Sequence, residues 1–223
     1  RSPFPACNVR RRNEPVATDT VQMDTAAVDS GGVKYAQIFV GRKSLVVDVY
    51  GMKTQTQFVN TLLDNIRQRG AMDTLISDSA ALEVSQRVLD ILRNLVIGSW
   101  QSAPYFQQQN FAERRWKDIK RLTNWLMGYK GVPADCWLLA LEYVADVMNL
   151  TAVESLHWRT PLECLTGQTP DSSALMLFVF YDHFNYNTNT KPSFPSETPE
   201  LKGRMVGFSK NVGHALTFKV LTD

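Results

Sequence analysis

Between residues 18 and 150 the apolar positions switch repeatedly between a two-residue and a helical repeat, and the order of those switches limits the fold. TDTVQMDTAAV (18–28), VKYAQIFVGR (33–42) and SLVVDVYGM (44–52) are rich in Val, Ile, Phe and Tyr. With the Ser30, Gly31, Gly32 turn they predict a three-stranded antiparallel meander. Val59, Leu62, Leu63 and Ile66 then form the apolar stripe of a helix over 54–69, with Gly70 as its stop. MDTLISD (72–78) predicts a strand, ALEVSQRVLDILRNL (81–95) a helix, and VIGSW (96–100) a last short strand. Two more helices follow, one from Phe111 to near Tyr129 and one over 133–150, where Pro133 suits a first-turn position. This order, β-β-β-α-β-α-β-α-α, implies a mixed five-stranded sheet with flanking helices, a three-layer α/β domain.

The pattern changes after Leu150. TAVESLHWRTPLECLTGQTPD (151–171) reads as a linker with one helical turn near Pro161. LMLFVFYDHFNY (175–186), GRMVGFS (203–209) and HALTFKVLTD (214–223) are strand-like, interrupted by a polar loop over 185–200 and a Gly213 turn. Short strands without a helix suggest a small, separate β-barrel. The expected organisation is a basic extended arm (1–17), a core (18–152), a linker (153–174) and a truncated β domain (175–223). The arm's consecutive Arg10, Arg11 and Arg12 read as solvated, with phosphate contact as the other reading.

Several function classes drop out. No apolar run approaches the roughly 20 residues of a membrane span, and the polar, Pro-rich start is no secretory signal. The chain lacks an initiator Met and stops inside a strand-like run, so it reads as a segment of a longer polypeptide. Cys7, Cys136 and Cys164 are far apart and give neither a disulfide framework nor zinc spacing. No phosphate-binding glycine loop or dinucleotide fingerprint is present, and no small-molecule cofactor is expected. His157, His183 and His214 all fall late and pair with no nucleophile. A net charge of +2 is too small to imply nucleic acid by itself, so local charge has to carry that argument.

Local charge is concentrated in WQSAPYFQQQNFAERRWKDIKR (100–121), a turn-rich loop that becomes a helix at Phe111. Glu113 sits in the first helical turn, and Lys117, Lys120 and Arg121 follow along its stripe. Ala112, Trp116, Ile119, Leu122 and Leu126 form the opposite, apolar row. Taken alone, the stretch reads first as a plain amphipathic helix with Glu113–Lys117 support. Two further carboxylates stand out: Asp24 within the first strand and Asp78 at the end of the fourth. If those strands are neighbours, the loop before Glu113 can close over both. Three converging carboxylates need cations, and hard divalent ions with oxygen ligands suit them. Asp48 and Asp29 are rivals, Asp48 reading as a strand residue with a local partner and Asp73 and Asp64 as surface.

The set VQMD ending at Asp24, LISD ending at Asp78 and PYFQQQNFAE ending at Glu113 resembles the D,D-35-E signature of retroviral-type integrase cores. WRTPLECLTGQTPD (158–171) and GRMVGFSKNVGHALTFKVLTD (203–223) are similar to the segments that follow the core in Ty1/copia-type retrotransposon Pol polyproteins. The resemblance covers nearly the whole chain from residue 15. It implies a ribonuclease H-like core followed by an SH3-like β-barrel, and a DDE-type integrase acting by two-metal phosphoryl transfer. Asp24, Asp78 and Glu113 would hold two Mg²⁺ ions, with Mn²⁺ able to substitute. Gln109 would lie near the DNA end, and Lys117, Lys120 and Arg121 would meet its phosphates. The implied partners are double-stranded DNA, as element ends and target, and further copies of the chain across the outward face of residues 137–148. The implied locations are a cytoplasmic virus-like particle and then the nucleus.

Departures from the pattern are specific. Only 34 residues separate Asp78 from Glu113, one fewer than in the signature, and the loop before Glu113 lacks its usual glycine. Ser79, Ala80 and Ala81 replace the typical Asn-Gly-Gly. Two other readings stay open: a ribonuclease H-like nuclease acting on hybrids, and a non-catalytic DNA-binding assembly module.

Overall fold

The computed structural model describes residues 9–28, 31–77, 85–101, 111–187, 200–209 and 216–222. Three strands form the expected meander: β1 (Pro15–Gln22), β2 (Tyr35–Gly41) and β3 (Val47–Met52), paired antiparallel. Helix α1 (Phe58–Arg69) leads to β4 (Thr74–Ser77), α2 (Gln86–Asn94) and β5 (Gly98–Gln101). The sheet order is β3-β2-β1-β4-β5, so the first and fourth strands are neighbours and run parallel. Gly70 ends α1 at φ +98°, and a Cβ there would stand 2.8 Å from the Arg10 carbonyl oxygen. Only glycine meets both conditions without strain.

The two faces of the sheet bury different residues because strand side chains alternate. Val16, Phe39 and Leu75 pack with Leu62 of α1 and Val88 of α2. Ala17, Ile38 and Ile76 pack beneath α3 (Phe111–Lys130) and α4 (Trp137–Leu150). At the sheet's edge the Asn149 side chain accepts from Val47 N (2.8 Å) and donates to Val47 O (2.7 Å), satisfying both polar groups of a buried strand residue.

Arg10 and Arg11 are exposed as expected, and Arg12 alone departs from the solvated reading. Arg12 is buried and bonds Glu14, whose carboxylate also accepts from the Lys43 and Ser44 amides at 2.9 and 2.8 Å. Glu14 thereby closes the β2–β3 turn.

After a short helix, α5 (Pro161–Thr166), comes a three-stranded antiparallel sheet. Its order is β6 (His183–Asn187), β7 (Glu200–Phe208) and β8 (Phe218–Thr222). Of the strand-like run expected over 175–186, residues 175–182 are not strand, and a 3₁₀ turn covers Ser173–Met176. Buried Phe180 and Phe208 lie 5.2 and 5.5 Å, between ring centroids, from Tyr143 of α4. Lys130 reaches Asp182 at 2.7 Å. The face of α4 expected to meet another copy is therefore largely covered by this sheet in the same chain. Apolar Tyr143 and Val144 find a partner within the chain, and a free face over 137–148 is corrected accordingly.

Candidate active site

Asp24 is not in the first strand. Strand β1 ends at Gln22, and Asp24 is exposed in the turn beyond it. The carboxylate inside β1 is Asp19, which stands opposite Ile38. Paired residues project to the same face, so Asp19 shares the side of Ala17, Val21 and Ile38, the side α3 covers. Asp24 follows five residues later, roughly 16 Å further at strand rise. Sequence reasoning passed over Asp19. The available signal was its two-residue spacing from Ala17 and Val21.

Asp78 lies outside the described residues, as does Gln109. In sequence Asp78 directly follows Ser77, the last residue of β4. The β1–β4 ladder pairs Val16 with Leu75 and Ala17 with Ile76, so Asp19 and Asp78 each lie two residues past a paired position.

Glu113 falls in the first turn of α3, as its position after the Gln/Asn-rich loop predicts. It is partly exposed, and its Oε1 lies 3.3 Å from Lys117 Nζ, the i,i+4 pair of an ordinary surface helix. Lys120 is exposed, as are Lys117 and Arg121, whose side chains are 73% and 78% accessible. Ala112, Ile119 and Leu126 are buried as expected. Leu122 is instead 38% exposed and Thr123 buried. Among the described residues no three of His, Cys, Asp and Glu cluster as metal ligands.

Asp48, the rival acid, has the local partner its strand position suggested. It is buried on β3, 2.7 Å from Arg69 Nη2 and 3.2 Å from the Asn65 amide. Burial, with the Asp48 charge, pushes the Tyr50 hydroxyl far above its ordinary range. This is a structural network in which one buried acceptor, Asn65 Oδ1, stays unpaired.

No family model matches the chain. One curated relative is the retrovirus-related Pol polyprotein from transposon RE2 of Arabidopsis thaliana, 26% identical over 152 residues. That match takes in 65% of this chain and 10% of the polyprotein, so the chain spans only a small part of that relative. Among solved structures, the integrase catalytic core domain of HTLV-2, in complex with magnesium, aligns with TM-score 0.53 and 18% identity. It covers 75% of this chain and all of that one. The catalytic core domain of BIV integrase aligns with TM-score 0.53 and 19% identity, over 70% of this chain and 95% of that one. A simian T-cell lymphotropic virus intasome in complex with PP2A regulatory subunit B56 gamma aligns with all of this chain and 78% of its own, with TM-score 0.58 and 14% identity. The five-stranded mixed sheet with its flanking helices has the fold of these integrase catalytic cores, and the chain is similar over 152 residues to a retrotransposon Pol polyprotein.

Proposed function

We propose that this integrase-like domain carries out phosphoryl transfer on DNA, as the integrase part of a Ty1/copia-type Pol polyprotein. The reaction is trimming of element ends followed by attack of the 3′-hydroxyl on target DNA. The observation that carries the reading is the position of Asp19, on the sheet face beneath the helix whose first turn holds Glu113. With Asp78 after β4, Asp19 and Glu113 make the carboxylate set, and Asp19 takes the place first given to Asp24.

An all-carboxylate donor set fits hard divalent cations such as Mg²⁺ or Mn²⁺. Two such ions would neutralise charge on the attacking and leaving oxygens. The chain's own residues position the DNA. Lys117, Lys120 and Arg121 project from α3 to meet its phosphates. Lys117 pairs with Glu113 at 3.3 Å, so a Glu113 committed to a cation leaves Lys117 for the backbone. Gln109 is assigned to the loop beside the DNA end. The small β sheet is assigned to an SH3-like domain, and assembly with further copies uses surfaces other than the covered face of α4. Virus-like particle and nucleus remain the proposed locations.

The test is resolution of a branched DNA that mimics the strand-transfer product, with Mg²⁺ or Mn²⁺, beside Glu113→Gln. Metal-dependent resolution lost in the Gln variant supports the reading. Intact DNA binding without resolution favours the assembly module instead.

A further inference from the structure

A cleft lies on the flank of α3 away from Glu113. It has a volume of about 910 Å³. Thr74, Ile76 and Trp100 form its sheet wall, and Phe111, Arg114 and Arg115 its helix wall. Helical geometry separates it from Lys117 and Lys120 of the proposed phosphate row: at 100° per residue, Arg115 and Asp118 project to one side and Glu113, Lys117 and Lys120 to the other, while Arg121 falls about 20° from Arg114.

Three features give this cleft a chemistry. First, its charge is cationic, with Arg42, Arg114 and Arg115 against Asp118 alone among the lining residues. Second, Arg115 Nε is buried and makes no hydrogen bond. Burial holds its guanidinium below the usual arginine range, with Asp118 only partly offsetting it. A buried donor without an acceptor is costly, and an anion reaching it would remove that cost. Third, Trp100 is 41% exposed on the opposite wall and presents an aromatic surface.

We infer that this cleft binds one or two unpaired nucleotides of a DNA strand, a phosphate against Arg115 and Arg114 and a base against Trp100. The inference rests on the reading that the chain handles DNA, and adds a single-strand subsite to it. Volume favours a strand over a duplex: about 300–1,000 Å³ is the range of sites that enclose a small ligand. A cationic groove with an aromatic wall is how proteins hold single strands without reading sequence.

The experiment measures binding of a short labelled oligothymidylate and of a blunt duplex by fluorescence anisotropy at low salt. Trp100→Leu and Arg115→Met each weaken oligothymidylate binding by about tenfold and leave duplex binding unchanged. Lys117→Ala does the reverse. Arg114→Met, at an exposed position, repeats the Arg115 result without touching a buried group. Thymidine 5′-monophosphate competes with the oligothymidylate if a lone nucleotide suffices, and fails to compete if two are needed. Variants that lower both affinities alike, or neither, overturn the cleft assignment while leaving the proposed function standing. A chain that binds neither DNA form overturns both. Glu113→Gln, which removes strand resolution, keeps the oligothymidylate affinity.

Discussion

Asp19 stands directly across the β1–β2 ladder from Ile38, whose side chain is fully buried beneath α3 and α4. That pairing decides which acid of the first strand faces the helix carrying Glu113. Asp24, past the end of β1, faces no such helix through the ladder.

The small β sheet owes its seat to Phe180, which is fully buried and packed at a tilt against Tyr143. Phe180→Ala removes a large ring from a packed site and should cost about 3–5 kcal/mol. Urea unfolding followed by far-UV circular dichroism should show the midpoint fall, or a first transition in which the sheet detaches. An unchanged curve would mean the sheet contributes nothing to the core.

Acid should loosen the same contact. The hydrogen bond from Lys130 holds the Asp182 carboxyl below its usual range, against partial desolvation and with help from the Val179 amide. A carboxyl depressed in the folded state stabilises it fully above its unfolded pKa, about 3.9. That contribution fades as pH falls through the lower folded value. Amide protection over 200–208, relative to the intrinsic exchange rate at each pH, should therefore fall below about pH 4, and Lys130→Met should lower it at neutral pH too. Equal pH profiles for wild type and variant are the expected sign of a dispensable pair.

The exposed cations of α3 should behave as phosphate contacts. Lys117→Ala and Lys120→Ala should each reduce the slope of log affinity against log salt for duplex DNA by about 0.9. The loss should be similar for every sequence tested, since backbone contacts read none. Unchanged slopes would leave Lys117 with its Glu113 pair alone and make the row a solvated face.

Local patterns made much of this architecture legible. Gly70 stopping α1, Glu113 in the first turn of α3 and a partnered Asp48 all followed from periodicity, turn chemistry or burial expectations. What stayed hidden depends on distant partners. Val21 and Met23 continue the strand alternation, so nothing local says that β1 ends at Gln22; pairing with β2 sets that end. Arg12 reads as one of three solvated arginines because its partner Glu14 is fixed beside it only by bonds from the distant Lys43 and Ser44. Tyr143 and Val144 look like an interface with another molecule because their cover, Phe180 and Phe208, lies more than thirty residues away in sequence.

The central claim is that Asp19 belongs to the reacting centre with Asp78 and Glu113, and the direct measurement is branched-DNA resolution by Asp19→Asn and Asp24→Asn side by side. Asp19→Asn should reduce the rate by about 10³ or more, since a lost metal ligand forfeits several kcal/mol of charge stabilisation. Asp24→Asn should stay within about threefold of wild type, a surface change of under 1 kcal/mol. Loss of activity in Asp24→Asn with Asp19→Asn active would contradict the account and return the first carboxylate to Asp24.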